Sequence, residues 1–167
     1  MIGFRTLLAA VAALPLAAAA ACPEKPTPRD MEGPFYKANP PLRASLLEPG
    51  SKGETLILSG VVYSTQCKPL PNALLDFWHA DEQGEYDNAG YRYRGQMRAD
   101  EQGRYRLETI LPAIYPGRPR HIHVKVQAPG KRALTTQIYF QYERAGSLAA
   151  KLELRDGVLH ATFDFAI

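Results

Sequence analysis

From Thr55 onwards the chain is a series of short apolar runs punctuated by turn formers. Residues 55–63, 74–80, 103–107, 121–127, 134–140 and 158–165 are rich in Val, Ile, Leu, Thr, Tyr and Phe. Between them lie Lys68-Pro69-Leu70-Pro71-Asn72, Glu82-Gln83-Gly84 and Pro129-Gly130. Many short strands at this spacing predict an all-β fold, an antiparallel β-sandwich. No long stretch carries a helical period, which argues against an α/β fold. Residues 148–154 suit a short helix or a further strand. Residues 22–54 are Pro-rich and polar with little periodicity, and predict an extended N-terminal arm with turns, packed in places on the body at 55–167. Glu32-Gly33-Pro34-Phe35-Tyr36 is the arm's one hydrophobic cluster.

One local repeat interrupts this pattern. Ala80-Asp81-Glu82-Gln83-Gly84-Glu85-Tyr86 recurs as Ala99-Asp100-Glu101-Gln102-Gly103-Arg104-Tyr105. Its simplest meaning is two similar hairpin turns, each with Gly in the left-handed region. Each copy ends in a Tyr, and the residues alone leave open which Tyr faces a site.

The chain has 167 residues, 46% of them hydrophobic, enough for one domain with a real core. Residues 1–21 read as a secretory signal: Arg5 gives a positive start, 6–16 are apolar, and 17–21 are alanines. The apolar run is shorter than a bilayer span needs and holds Pro15, so the mature chain is expected to carry no spanning segment. The expected location is periplasmic, envelope-anchored or extracellular. Cys22 follows the signal directly, as in a bacterial lipoprotein, although Ala19 stands where that motif usually has Leu. Cys22 is therefore a candidate lipid anchor. It is equally a candidate disulfide partner for Cys67, the only other cysteine. Acidic and basic residues are interspersed and the net charge is +3, so no basic patch points to nucleic acid.

The candidate chemistry lies in Tyr115-Pro116-Gly117-Arg118-Pro119-Arg120-His121-Ile122-His123. On a strand, His121 and His123 share a face. With a phenol and a guanidinium just upstream, they resemble a metal site with a charge-stabilising group beside it. A phenol's ordinary pKa near 10 means that only a strongly Lewis-acidic ion ionises it at neutral pH. Fe(III) meets that need better than Zn(II) or Fe(II), and imidazole suits iron. Two His with one or two Tyr would hold Fe(III) and leave a position for substrate.

Several separated motifs resemble the intradiol ring-cleavage dioxygenase family across roughly residues 27–140. They are the run from Thr27 to Tyr36, Leu58-Ser59-Gly60-Val61-Val62, Asp76-Phe77-Trp78-His79-Ala80-Asp81 with Gly84-Glu85-Tyr86, Arg94-Gly95, the run from Thr109 to Tyr115, Arg118 to His123, and Leu134 to Phe140. The resemblance implies non-haem Fe(III) held by Tyr86, Tyr115, His121 and His123, with Tyr105 left as a strand packing residue. It implies that a catechol and O2 react to give a cis,cis-muconate-type diacid. In that scheme Tyr115 leaves the metal and accepts a substrate proton, and Arg118 stabilises negative charge developing on the ring. Trp78 and Gln137 are candidate substrate-side residues near the metal. Tyr36 is expected to dock the arm. His79 and His160 have no place in the motif and are expected to be surface or structural. Tyr91 and Tyr93 lie in a segment expected near the pocket mouth.

The chain looks like a small, exported branch of that family. It has no room for the helical dimerisation domain of larger members, so their dimer contact does not carry over, although homo-oligomers stay open. The Tyr115–Arg118 connection is short, which suggests an open site and leaves hydroxyquinol or larger plant-derived catechols as alternative substrates. The alternative outside enzymology is an exported β-sandwich that binds iron or iron–catecholate complexes without turnover. Fold alone does not choose between them.

Overall fold

In the computed structural model the described residues are 22–167, and the proposed signal lies outside them. Nine strands follow in order: β1 (Thr55–Tyr63), β2 (Leu74–Trp78), β3 (Arg94–Arg98), β4 (Arg104–Ile110), β5 (His121–Gln127), β6 (Leu134–Tyr139), β7 (Lys151–Arg155), β8 (Val158–Thr162) and β9 (Phe165–Ala166). One sheet has the order β4-β1-β8-β7, with β9 paired to the far end of β1; the other is β3-β2-β5-β6. The fold is a β-sandwich, as the spacing of short apolar runs and turn formers predicts. Leu56, Leu58, Leu107 and Ala161 of the first sheet and Leu75, Phe77, Ile122, Val124 and Ile138 of the second are buried in one core.

Two details depart from the expected pattern, and a third decides one that was open. Strand β3 was not foreseen, because Arg94-Gly95-Gln96-Met97-Arg98 has almost no apolar residue to mark it. The expected strand over 158–165 is two strands, and both pair with β1 in parallel rather than antiparallel register. The break sits where Phe163 and Asp164 cross over Gly60: a Cβ there would lie 1.9 Å from the Phe163 carbonyl oxygen. Residues 148–154 divide between a short 3-10 helix, Glu143–Leu148, and β7.

The repeat is a conformational repeat. Asp81 Oδ1 accepts hydrogen bonds from the backbone of Gln83 and Glu85, and Asp100 Oδ1 accepts them from Gln102 and Arg104. Gly84 and Gly103 both have positive φ. The second copy is not a hairpin within one sheet, because it carries the chain from β3 to β4, which lie in different sheets. Tyr105 is then buried in β4 and its hydroxyl donates to the Phe163 carbonyl at 2.7 Å.

The arm decides where the site lies. In β5, Ile122, Val124 and Val126 enter the core, so His121, His123 and Lys125 face outward. Strand register sets Arg94, Trp78, His123 and Gln137 side by side across that outer face. These residues are nonetheless buried, because the arm crosses over them. It is pinned where Asp30 N donates to Thr135 O and Arg43 N to Gln96 O, and Leu46 plugs into the core. Tyr36 donates to Asp76 Oδ2 at 3.1 Å and packs against Trp78, docking the arm as expected. At the arm's start Cys22 is disulfide-bonded to Cys67. That bond occupies the sulfur a lipid would need.

Candidate active site

His121 and His123 stand next to each other on β5 with their rings edge to face, 4.7 Å between centroids. His121 Nδ1 lies 2.7 Å from the Pro119 carbonyl, which can only accept, so Nδ1 carries the proton and Nε2 presents its lone pair. Trp78 stacks on His123 at 4.9 Å and 6°, fixing the ring plane. Trp78 itself is 1% exposed.

Tyr86 reaches this pair from the first copy of the repeat. Gly84 lets that turn press against the segment before Tyr115: a Cβ there would meet the Ile114 carbonyl oxygen at 2.6 Å. The Tyr86 ring is stacked on Phe35 of the arm at 4.4 Å, and the Tyr115 ring stands edge-on to both. The Tyr86 hydroxyl lies 3.3 Å from His121 Nε2 and 3.1 Å from His123 Nε2, and the two nitrogens are 3.0 Å apart.

That triangle fits a metal. Donors about 2.1 Å from one ion and at right angles to each other lie about 3 Å apart. Two nitrogens facing each other at 3.0 Å, with one lone pair already fixed toward the partner, are a donor set suited to a cation. Tyr115 lines the same pocket, and its hydroxyl makes no hydrogen bond among the described residues. Three of the four expected ligands thus converge and the fourth stands beside them.

Electrostatics support the same reading. Burial pushes the His123 pKa down to about 3, helped by His121 and Arg118, and burial also lowers His121. Both imidazoles are therefore neutral and ligand-competent near pH 7. Burial raises Tyr86 to about 12, against the opposing pull of Arg118 and Arg94. A phenol so held ionises at neutral pH only against a strongly Lewis-acidic cation, which favours Fe(III).

The pocket, about 60 Å³, is lined by Met31, Gly33, Pro34, Phe35, Tyr86, Tyr115, Arg118, His121 and His123. The arm supplies four of these residues and roofs one side of the site. A larger cavity of about 420 Å³, around Ser59, Arg106 and Asp164, lies on the other sheet and has no imidazole in its wall.

Arg118 Nη2 donates to Gln137 Oε1 at 2.8 Å and to the Tyr139 hydroxyl at 2.9 Å. Tyr139 donates in turn to Asp30 Oδ2 at 2.8 Å, and Gln137 Nε2 to the Met31 carbonyl at 2.7 Å. Trp78 and Gln137, expected on the substrate side, lie behind the pocket wall: Trp78 holds His123 and Gln137 holds Arg118. Tyr93 is a core residue, and the exposed Tyr91 donates to Ala38 O, so neither lines the mouth. His79 is buried and structural, with Nδ1 donating to Ala80 O and Nε2 accepting from Thr109. Asp30, Met31, Phe35, Arg94 and Tyr139 were assigned no role from sequence. The signal for Tyr139 was present, since it lies two residues after Gln137 on the same strand face.

Comparison with known proteins places this geometry. A family model described as Dioxygenase matches residues 31–145. Catechol 1,2-dioxygenase of Acinetobacter baylyi is 38% identical over 144 residues, covering 69% of this chain and 46% of that protein. The chain spans about half the length of the curated relatives it matches. Among solved structures, the dioxygenase domain of a dioxygenase carbohydrate-binding protein fusion from Streptomyces sp. SirexAA-E superposes with a TM-score of 0.81 at 43% identity. That match covers 86% of this chain and 98% of the other. Catechol 1,2-dioxygenase from Pseudomonas arvilla C-1 gives a TM-score of 0.75 at 29% identity, over 84% of this chain and 61% of that one. The chain belongs to the intradiol ring-cleavage dioxygenase family.

Proposed function

We propose that this chain is a non-haem Fe(III) dioxygenase that opens a catechol-type ring between its two hydroxyl-bearing carbons. Both atoms of O2 enter the product, a cis,cis-muconate-type diacid. The observation that carries this reading is the triangle of Tyr86, His121 and His123 donors in a pocket shared with Tyr115 and Arg118. Fe(III) held by Tyr86, Tyr115, His121 and His123 would supply the Lewis acidity that makes a catecholate reactive toward O2.

The residues themselves have separable tasks. Tyr115, whose hydroxyl has no hydrogen-bond partner among the described residues, accepts a catechol proton at its phenolate oxygen. Arg118 has Nη2 engaged by Gln137 and Tyr139, while the one acceptor of its Nη1 among the described residues is the Met31 sulfur, a weak acceptor at 2.8 Å. Nη1 is thus available to a developing negative charge on substrate oxygen. Phe35 and Pro34 keep water from the ring's face, and Trp78 keeps His123 in plane.

The test is a visible spectrum of the iron-loaded protein with and without catechol under anaerobic conditions, followed by O2 uptake and mass spectrometry of the product. A tyrosinate-to-iron band that shifts with catechol, and a diacid two oxygens heavier than substrate, are expected. Tight catechol binding with no O2 uptake across a panel of catechols would instead favour capture of iron–catecholate complexes. The exposed Met31 of the pocket wall and the exposed Ile114, next to the lining Tyr115, favour substrates with a substituent reaching out of the pocket, to be read from the same panel. We also infer export. The Cys22–Cys67 bond supports it, since such bonds persist in oxidising compartments; cell fractionation with N-terminal sequencing of the mature chain tests it.

A further inference from the structure

We propose that Tyr139 and Asp30 are positioning residues for Arg118, and that through them the N-terminal arm sets the cation that the reaction uses. This inference rests on the function proposed above. The Tyr139 hydroxyl donates to Asp30 Oδ2 and accepts from Arg118 Nη2, so one oxygen serves both bonds without conflict. Beside it Gln137 accepts from the same Nη2 and donates to Met31 O. Both braces of the guanidinium therefore end on adjacent residues of the arm, one on a side chain and one on the backbone. Asp30 is itself fixed where its backbone N–H donates to Thr135 O at 3.0 Å.

The chemistry of the brace matters as much as its geometry. A carboxylate placed directly on Arg118 would hold it firmly but would neutralise much of its field in the pocket. Here the carboxylate is one hydroxyl away. Arg118 makes no ion pair within 4 Å among the described residues, so it is oriented without being paired. The Tyr139 hydroxyl spends its one proton on Asp30 Oδ2 and offers its lone pair to Arg118 Nη2, so the bridge relays the carboxylate's hold without a direct ion pair. The Asp30 to Tyr139 to Arg118 chain is short, half-buried and anchored at both ends, which is what a positioning network requires.

The experiment compares Tyr139→Phe, Asp30→Asn and the double variant in the iron-loaded protein. Tyr139→Phe is expected to lower kcat roughly tenfold with KM and iron content unchanged, because Arg118 acts on charge that develops after binding. Asp30→Asn is expected to lower kcat a few-fold, and the double variant to be no worse than Tyr139→Phe, since the two act in series. Unchanged kcat in Tyr139→Phe, or losses that multiply, would overturn the proposal; so would a loss that tracks iron content. A second readout needs neither iron nor substrate. In metal-free protein the Arg118 Nε–H group is expected to be ordered by 15N relaxation in the wild type and mobile in Tyr139→Phe. Equal order in both refutes the brace. If the wild type turns over no catechol while the order difference holds, the proposed function fails and the brace stands.

Discussion

Replacing His79 by Gln isolates one buried titration and predicts its effect on stability. His79 is 1% exposed, donates from Nδ1 to Ala80 O and accepts at Nε2 from Thr109, so its neutral form is fully satisfied and its cation is not. Burial lowers its pKa from 6.5 to about 4. The unfolded chain therefore binds the proton first as pH falls. Stability is full above pH 6.5 and is lost progressively as pH drops toward 4. At pH 4.5 the linkage amounts to about 2–3 kcal/mol. His121 and His123 push in the same direction but are present in both proteins, so the difference between wild type and variant belongs to His79. The assay is urea unfolding of the metal-free, disulfide-bonded protein at pH 7.5 and 4.5. The variant is expected to start less stable, having lost shaped hydrogen bonds, yet to lose about 2–3 kcal/mol less between the two pH values. Parallel stability–pH curves would refute the reasoning.

Trp78→Ala is expected to cost about 3–5 kcal/mol from the cavity alone and to weaken iron binding, because His123 loses the ring that holds its plane. Trp78→Phe keeps a stacking face and should retain most of the metal affinity, measured by iron titration of the folded variants. Cys67→Ser opens a closure of 45 residues' separation, worth up to about 4 kcal/mol in chain entropy. A lower urea midpoint under non-reducing conditions is expected, and an unchanged midpoint would mean that the bond does not constrain the unfolded chain.

The sequence by itself determined two strands to their limits. β5 has apolar residues at every second position, which leaves one face no alternative to burial, and β1 is a continuous run rich in Val, Ile and Leu. It also determined that His121 and His123 share a face, since that follows from the two-residue period. The family motifs then singled out Tyr86 over Tyr105. The structure gives a physical reason: Tyr105 is spent inside β4, whereas Tyr86 follows its turn freely toward the imidazoles.

Other features depended on contacts between distant segments, which no local pattern encodes. Strand β3 is polar because its outward face lies beneath the arm. The parallel pairing of β8 and β9 with β1 follows from chain path across Gly60. The site's polar residues are buried only because residues 30–36 return over the outer face of the second sheet. For the same reason the brace on Arg118 could not be read from order along the chain: Asp30, Arg118 and Tyr139 meet only once the arm is laid across β6. The two-residue period put the two imidazoles on one face, the family motifs named the candidate phenols, and long-range packing set the charge beside them.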